Sequence, residues 1–207
     1  MYLKKLRTGA MLTVAVAFIL LVLHAVVGKH ELFFYLNNDY GTVPDLFFRY
    51  YTNAGDGAGW AVLLLLFIAA GKKKFIPLLV SACIISTLLV QVCKNFVWPN
   101  SPRPTAAIEA KAMIHTVQGV NVHSTHSFPS GHTTSAFCYF LVGTLFIERR
   151  WFVAAGFVAA LLAGWSRLYL AQHFPVDVAT GMLAAVIAVY LSVMVQQQWM
   201  QRRAAKQ

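Results

Sequence analysis

The chain reads as an all-α bundle of six membrane-spanning helices with both termini on the cytoplasmic side. Three observations predict this. Six apolar runs, at about 10–27, 57–70, 75–93, 132–147, 151–168 and 176–195, each approach the roughly 20 residues that cross a hydrocarbon core. The composition is 58% hydrophobic and only 12% charged, too little polar surface for a soluble domain of 207 residues. The basic residues fall in the short gaps between alternate runs. Backbone groups in lipid must satisfy one another, so each run is expected to be a helix. The length predicts one domain over residues 1–207.

The elements follow in order. Lys4, Lys5 and Arg7 precede the first run, which is longer than the apolar core of a cleaved signal and is expected to be retained. Residues 28–56 carry Phe33, Phe34, Tyr35, Tyr40, Phe47, Phe48, Tyr50 and Tyr51. So many rings suit either a segment lying at headgroup depth or a lid over the bundle. The second run is short and extends outward through Gly55, Gly57 and Gly59. Lys72, Lys73 and Lys74 separate it from the third, which ends at Lys94. The 94–131 loop has a short helix predicted near Thr105–Val117 and a polar stretch bearing His115, His123 and His126. Glu148, Arg149 and Arg150 divide the fourth run from the fifth, and Pro175 opens the sixth. Arg202 to Gln207 read as a frayed tail.

A net charge of +10 would suit a nucleic-acid binder, but its distribution does not. Lys4, Lys5, Arg7, Lys72, Lys73, Lys74, Arg149, Arg150, Arg202, Arg203 and Lys206 all lie on one side of the alternating runs. Glu31, Asp39, Asp45, Asp56, Glu109 and Asp177 lie on the other. This is the positive-inside pattern, and it puts loops 28–56, 94–131 and 169–175 outside. The partners implied are the bilayer and a membrane lipid, with no nucleic acid and no obligate protein partner. The three cysteines lie in or beside the runs and give no disulfide framework.

Three polar clusters end apolar runs at the same predicted face: first Lys94 with Arg103-Pro104, second Pro129-Ser130-Gly131-His132, third Ser166-Arg167 with His173 and Asp177. Pro129-Ser130-Gly131-His132 opens the fourth run, with Ser130 near the cap. Free N–H groups and the helix dipole make that end an anion site, and Gly131 permits close approach of a ligand oxygen. In His173-Phe174-Pro175-Val176-Asp177, the four-residue spacing lets the carboxylate reach back to one imidazole nitrogen. That fixes the tautomer and leaves the other nitrogen a nucleophile. Ser166-Arg167, Lys94 and Arg103 bring cations to the same face, where arginine offers a planar fork to phosphate oxygens. Charges at membrane depth are costly and are retained for function.

These residues resemble the type 2 phosphatidic acid phosphatase (PAP2) family of membrane lipid phosphatases. Residues 129–132 and 166–177 match its second and third motifs, the latter at every fixed position of S-R-x5-H-x3-D. Lys94 with Arg103-Pro104 resembles the first motif, usually K-x6-R-P, with eight residues intervening here. The resemblance implies a phosphohistidine on His173, oriented by Asp177, with His132 as general acid. It implies phosphoryl binding by Lys94, Arg103, Ser130, Gly131 and Arg167, hydrogen-bonding help from Ser166, and no metal or other cofactor. It also implies a bacterial inner-membrane hydrolase acting on a lipid phosphomonoester or diphosphate at the outer face. Undecaprenyl diphosphate, phosphatidylglycerol phosphate, phosphatidic acid and lipid A phosphates are the candidate substrates. A lipid-to-lipid phosphotransferase and a non-catalytic lipid or anion binder or transporter are the rival readings. His115, His123 and His126 share no helical face, and no carboxylate sits close in sequence, so they read as polar loop residues rather than metal ligands.

Overall fold

The computed structural model describes residues 2–205. Lys206 and Gln207, the end of the expected tail, lie outside it. Every regular element in the described residues is helical. Six long helices account for the six runs: α1 (Tyr2–Val27), α4 (Gly59–Ala69), α5 (Ile76–Val92), α7 (Gly131–Phe146), α8 (Trp151–Tyr169) and α9 (Pro175–Ala204). Between them lie α2 (Lys29–Leu36), α3 (Thr42–Tyr51) and a single turn, α6 (Pro104–Ala107). Among the described residues, four helices are by length and composition apolar enough to cross a membrane, namely Leu3–Val27, Lys73–Val97, Trp151–Tyr169 and Pro175–Ala204. A fifth is added if Thr42–Gly55 and Gly59–Ala69, bent by 61°, form one broken span. At 16 residues α7 is shorter than a full crossing.

α7 is the post around which the bundle is built. α1, α5, α8 and α9 all pack on it, and Phe137, Cys138, Leu141 and Val142 on it are fully buried. The outer faces of α1 and α4 are greasy: Phe18, Ile19, Val26, Leu65 and Leu66 are exposed. Apolar side chains on both faces mean that the helices bury one stripe in protein and offer the other to lipid. The cysteines are unpaired, with Cys138 buried and Cys83 and Cys93 half-buried.

The aromatic segment 28–56 is mostly helical and roofs one end of the bundle. Gly28 and Gly41, at φ of +99° and +88°, precede α2 and α3. Phe33 of α2 packs edge-on against Phe174, and Phe48 of α3 lies against Tyr169. The remaining rings divide the roles: Tyr35, Tyr40, Phe47 and Tyr50 are exposed. The segment therefore covers the bundle while presenting rings outward. The helix expected near Thr105–Val117 is reduced to α6 and a 3-10 turn at Lys111–Met113, because Ile108 and Ile114 turn inward to pack near Phe33 and Phe174. The expected fraying begins too early, since α9 stays helical to Ala204. Its basic last turn, with Arg202 and Arg203, suits the negative end of the helix dipole.

Candidate active site

The three polar clusters meet at the roofed end, and backbone hydrogen bonds stitch them together. Ser130 N–H donates to Asp177 O at 3.0 Å, joining the second cluster to the third. Arg103 Nη1 donates to Gln172 O at 2.9 Å, joining the first to the third. His173 N–H donates to Arg167 O at 3.1 Å. That last bond follows a left-handed turn at Ala171, φ +51°, which stops α8 and delivers Gln172 and His173 directly beneath the roof. An alanine in this conformation costs about 1 kcal/mol. Burial of its methyl beside Phe33 and Phe174 offsets part of that cost.

Local chemistry explains each placement. Ser130 caps α7, its Oγ accepting from Thr133 N–H, as the sequence predicts. Pro175 occupies the first turn of α9, and Asp177 Oδ2 accepts the free Phe174 N–H at 2.9 Å. Oδ2 also faces His173 Nδ1 at 3.5 Å. The two are close without a formed hydrogen bond, since Nδ1 has no aligned partner. The His173 side chain is 1% exposed. Burial pushes its imidazole pKa down to about 3; Asp177 opposes the shift, and Arg103 and Arg167 add to it. The ring is therefore neutral, with a lone pair to offer.

Arg103, in the loop before α6, is buried; burial lowers its pKa and Asp177 counteracts this. Arg167, on the last turn of α8, is also buried, and its Nη1 donates to Thr52 Oγ1. Arg167 Nε has no hydrogen-bond partner among the described residues. Lys94 sits on a π-turn, Cys93–Val97, that continues α5, within electrostatic reach of Arg103, Arg167 and Asp177. His132 is within reach of Lys94, Arg103 and Arg167. A Cβ on Gly55 would come within 2.6 Å of His132 O, so only glycine lets the roof approach this backbone. His132 and Gly131 line a cavity of about 210 Å³ whose other walls include Ser86, Thr87, Gln91 and Ser135. Ser166 is buried at the same level, but its hydroxyl donates to Ala163 O at 2.6 Å within its own helix.

Buried cations around a neutral imidazole and an anion-binding helix end repel one another unless an anion joins them. A ligand with several oxygens supplies what Arg167 Nε lacks.

The model of the PAP2 superfamily matches residues 74–201. The chain belongs to this superfamily. The undecaprenyl-diphosphatase BcrC of Bacillus subtilis (strain 168) is 36% identical over 93 residues, covering 44% of this chain and 42% of BcrC. An undecaprenyl-diphosphatase of Sulfolobus acidocaldarius is 29% identical over 143 residues, covering 65% of this chain and 62% of its own length. The crystal structure of Aquifex aeolicus LpxE superposes with a TM-score of 0.69 at 31% identity, covering 80% of this chain and 94% of that one. The chain is a membrane protein of a lipid-phosphatase family.

Several residues at this candidate site carry no motif signal. Ser127 is fully buried and donates to Asp177 Oδ2 at 2.5 Å. Thr52 takes Arg167, and Gln172 takes Arg103. Asp56, whose carbonyl accepts from Tyr139 Oη at 2.7 Å, lies within electrostatic reach of His132 and Arg167. His115 does meet carboxylates, supplied by the roof rather than by its own loop. Its Nε2 is 2.9 Å from Asp45 Oδ1 and its Nδ1 3.9 Å from Asp39 Oδ2. Ligand-type atoms of these three residues fall within 4.8 Å of one another. One ring turns its two nitrogens to different carboxylates, and Tyr169 Oη also donates to Asp45 Oδ1. The ring thus joins the loop to the roof through its hydrogen bond to Asp45.

Proposed function

We propose that the chain is a metal-independent phosphatase of the bacterial inner membrane that hydrolyses a lipid phosphomonoester or diphosphate. A polyprenyl diphosphate is the first substrate to test, in line with the names of two relatives. In this reading α1, α4, α5, α7, α8 and α9 are six spans, both termini are cytoplasmic, and the site faces the periplasm or exterior. The observation that carries the reading is the buried Nε of Arg167, without an acceptor among the described residues, close to a buried His173.

His173 Nε2 attacks phosphorus while the bond to the leaving oxygen breaks, and His132 gives that oxygen its proton. Asp177 holds the ring and stabilises its positive charge. His132 then takes a proton from water, which attacks phosphorus; the P–N bond breaks and phosphate departs. Lys94, Arg103, Arg167 and the Ser130-Gly131 helix end hold the equatorial oxygens, whose charge grows in the transition state. The lipid tail has a route in from the side. A separate hollow of about 180 Å³ between α4 and α5, walled by Trp60, Leu64, Leu79, Val80, Cys83 and Ile84, is apolar enough to take part of that tail.

The test is a panel of purified lipid phosphates in detergent, scored for inorganic phosphate without an acceptor lipid. Turnover of at least one member is expected, with an acid-labile phosphoprotein that disappears in His173→Ala. Appearance of phosphate on an added acceptor lipid, with no inorganic phosphate released, would indicate phosphotransfer. No release from any member, or wild-type turnover in His173→Ala, would overturn the reading.

A further inference from the structure

Gln172 lies inside the third cluster at a position its motif leaves free, yet it holds a functional side chain of the first. It is 2% exposed. Arg103 Nη1 donates to both Gln172 O and Gln172 Oε1, each at 2.9 Å. Gln172 Nε2 in turn donates to Asn121 O at 2.9 Å. Arg103 Nε donates to Thr125 O at 2.9 Å, and its backbone N–H to Ser124 O at 2.9 Å. One amide thus grips the guanidinium and tethers the 121–125 segment that grips it from the other side.

A guanidinium has five N–H donors in a rigid plane. Nε and both Nη1 hydrogens of Arg103 are committed to Thr125 and Gln172, so only Nη2 is left for a ligand. Arg167 has the complementary arrangement: Nη1 is committed to Thr52, leaving the Nε–Nη2 edge, with Nε unpartnered. We propose that Gln172 is a positioning residue for phosphoryl transfer. It fixes the plane of Arg103 so that Nη2 alone meets one phosphoryl oxygen, while Arg167 presents its fork to others. The inference rests on the phosphatase reading. A swinging Arg103 would still attract phosphate by its charge, but it would have to be ordered as transition-state charge develops, so the loss falls mainly on kcat.

Two variants and a cycle test this. Gln172→Leu removes the amide at similar length. Phosphate release from a lipid phosphate is expected to fall about 10-fold in kcat/KM, chiefly in kcat, with vanadate inhibition weakened about as much. Gln172→Glu keeps an acceptor for Arg103 and so guards against a folding defect. Its added charge cancels that of Arg103, and vanadate inhibition should weaken; the bond to Asn121 O is lost in both variants, so the melting temperature should fall no further than in Gln172→Leu. In an Arg103→Lys background, Gln172→Leu should cost less than about 3-fold, because the group it positions is gone. Wild-type kcat and vanadate inhibition in both variants, or losses that simply multiply in the double variant, would overturn the inference and leave the phosphatase reading intact. A wild-type protein that releases no phosphate from any lipid phosphate would overturn both.

Discussion

Replacing Ser127 with alanine tests the histidine–carboxylate pair without touching any motif residue. Asp177 Oδ2 receives two donors, the Ser127 hydroxyl at 2.5 Å and Phe174 N–H at 2.9 Å, while it faces His173 Nδ1. A hydrogen bond to an ionised acceptor is worth about 1.5–3 kcal/mol. Ser127 is fully buried, so bulk water does not replace the lost donor. The variant should lose stability of that order, a fall of several degrees in melting temperature for a chain of this size. Catalysis should suffer too. With one anchor left, the carboxylate can turn about the Phe174 contact and release the imidazole from its orientation. Partners that orient metal-bound histidines are worth roughly 10–100-fold, and a loss of that order is expected here. The loss should lie in kcat with KM little changed, since Ser127 does not touch the arginines' free donors. The assay is phosphate release under saturating and limiting substrate, alongside thermal unfolding in the same detergent. Ser127→Ala with wild-type kcat and wild-type melting temperature would show that the hydroxyl neither holds the carboxylate nor matters to the ring.

Three further outcomes are expected. Arg167→Lys keeps the charge but cannot serve Thr52 and a ligand with one planar fork; kcat/KM should fall about 10²–10³-fold, and an activity within a factor of three of wild type would remove the fork from the mechanism. His173 is held neutral with its folded pKa pushed to about 3, so between the ordinary imidazole pKa near 6.5 and that value the unfolded chain binds a proton the native state refuses. Its contribution is fully present above about pH 6.5 and is lost progressively as pH falls; melting temperature should drop across that window, more steeply in wild type than in His173→Asn, and parallel slopes would contradict the burial argument. Because lysine and arginine side chains provide the positive charge in this mechanism, turnover should survive excess chelator. Loss that one divalent ion alone restores would contradict it.

The parts of this fold legible in the sequence are those that lipid enforces. The apolar runs at 75–93, 151–168 and 176–195 find α5, α8 and α9 within two residues at their starts because a helix in hydrocarbon has no alternative for its backbone. Ser130 and Pro175 mark helix starts by capping chemistry that acts within one turn. Segment 28–56 is harder to read: its rings serve both a buried and an exposed face, and no single period separates Phe33 and Phe48 from Tyr35 and Tyr50. Gly28 and Gly41 were the available signal for two short helices. Ser127, Thr52 and Gln172 could not be found at all. Each is an ordinary polar residue whose partner lies 50, 115 or 69 positions away, and no spacing rule reaches that far.

The bond from Arg167 Nη1 to Thr52 Oγ1 ties the roof to the cation whose Nε has no acceptor among the described residues. Any agent that prises α3 from the end of α8 also disarms that arginine, without ever reaching the phosphorus. Such an inhibitor, whether a small cyclic peptide or an antibody fragment wedged against the exposed rings, need not resemble a phosphate or carry its charge.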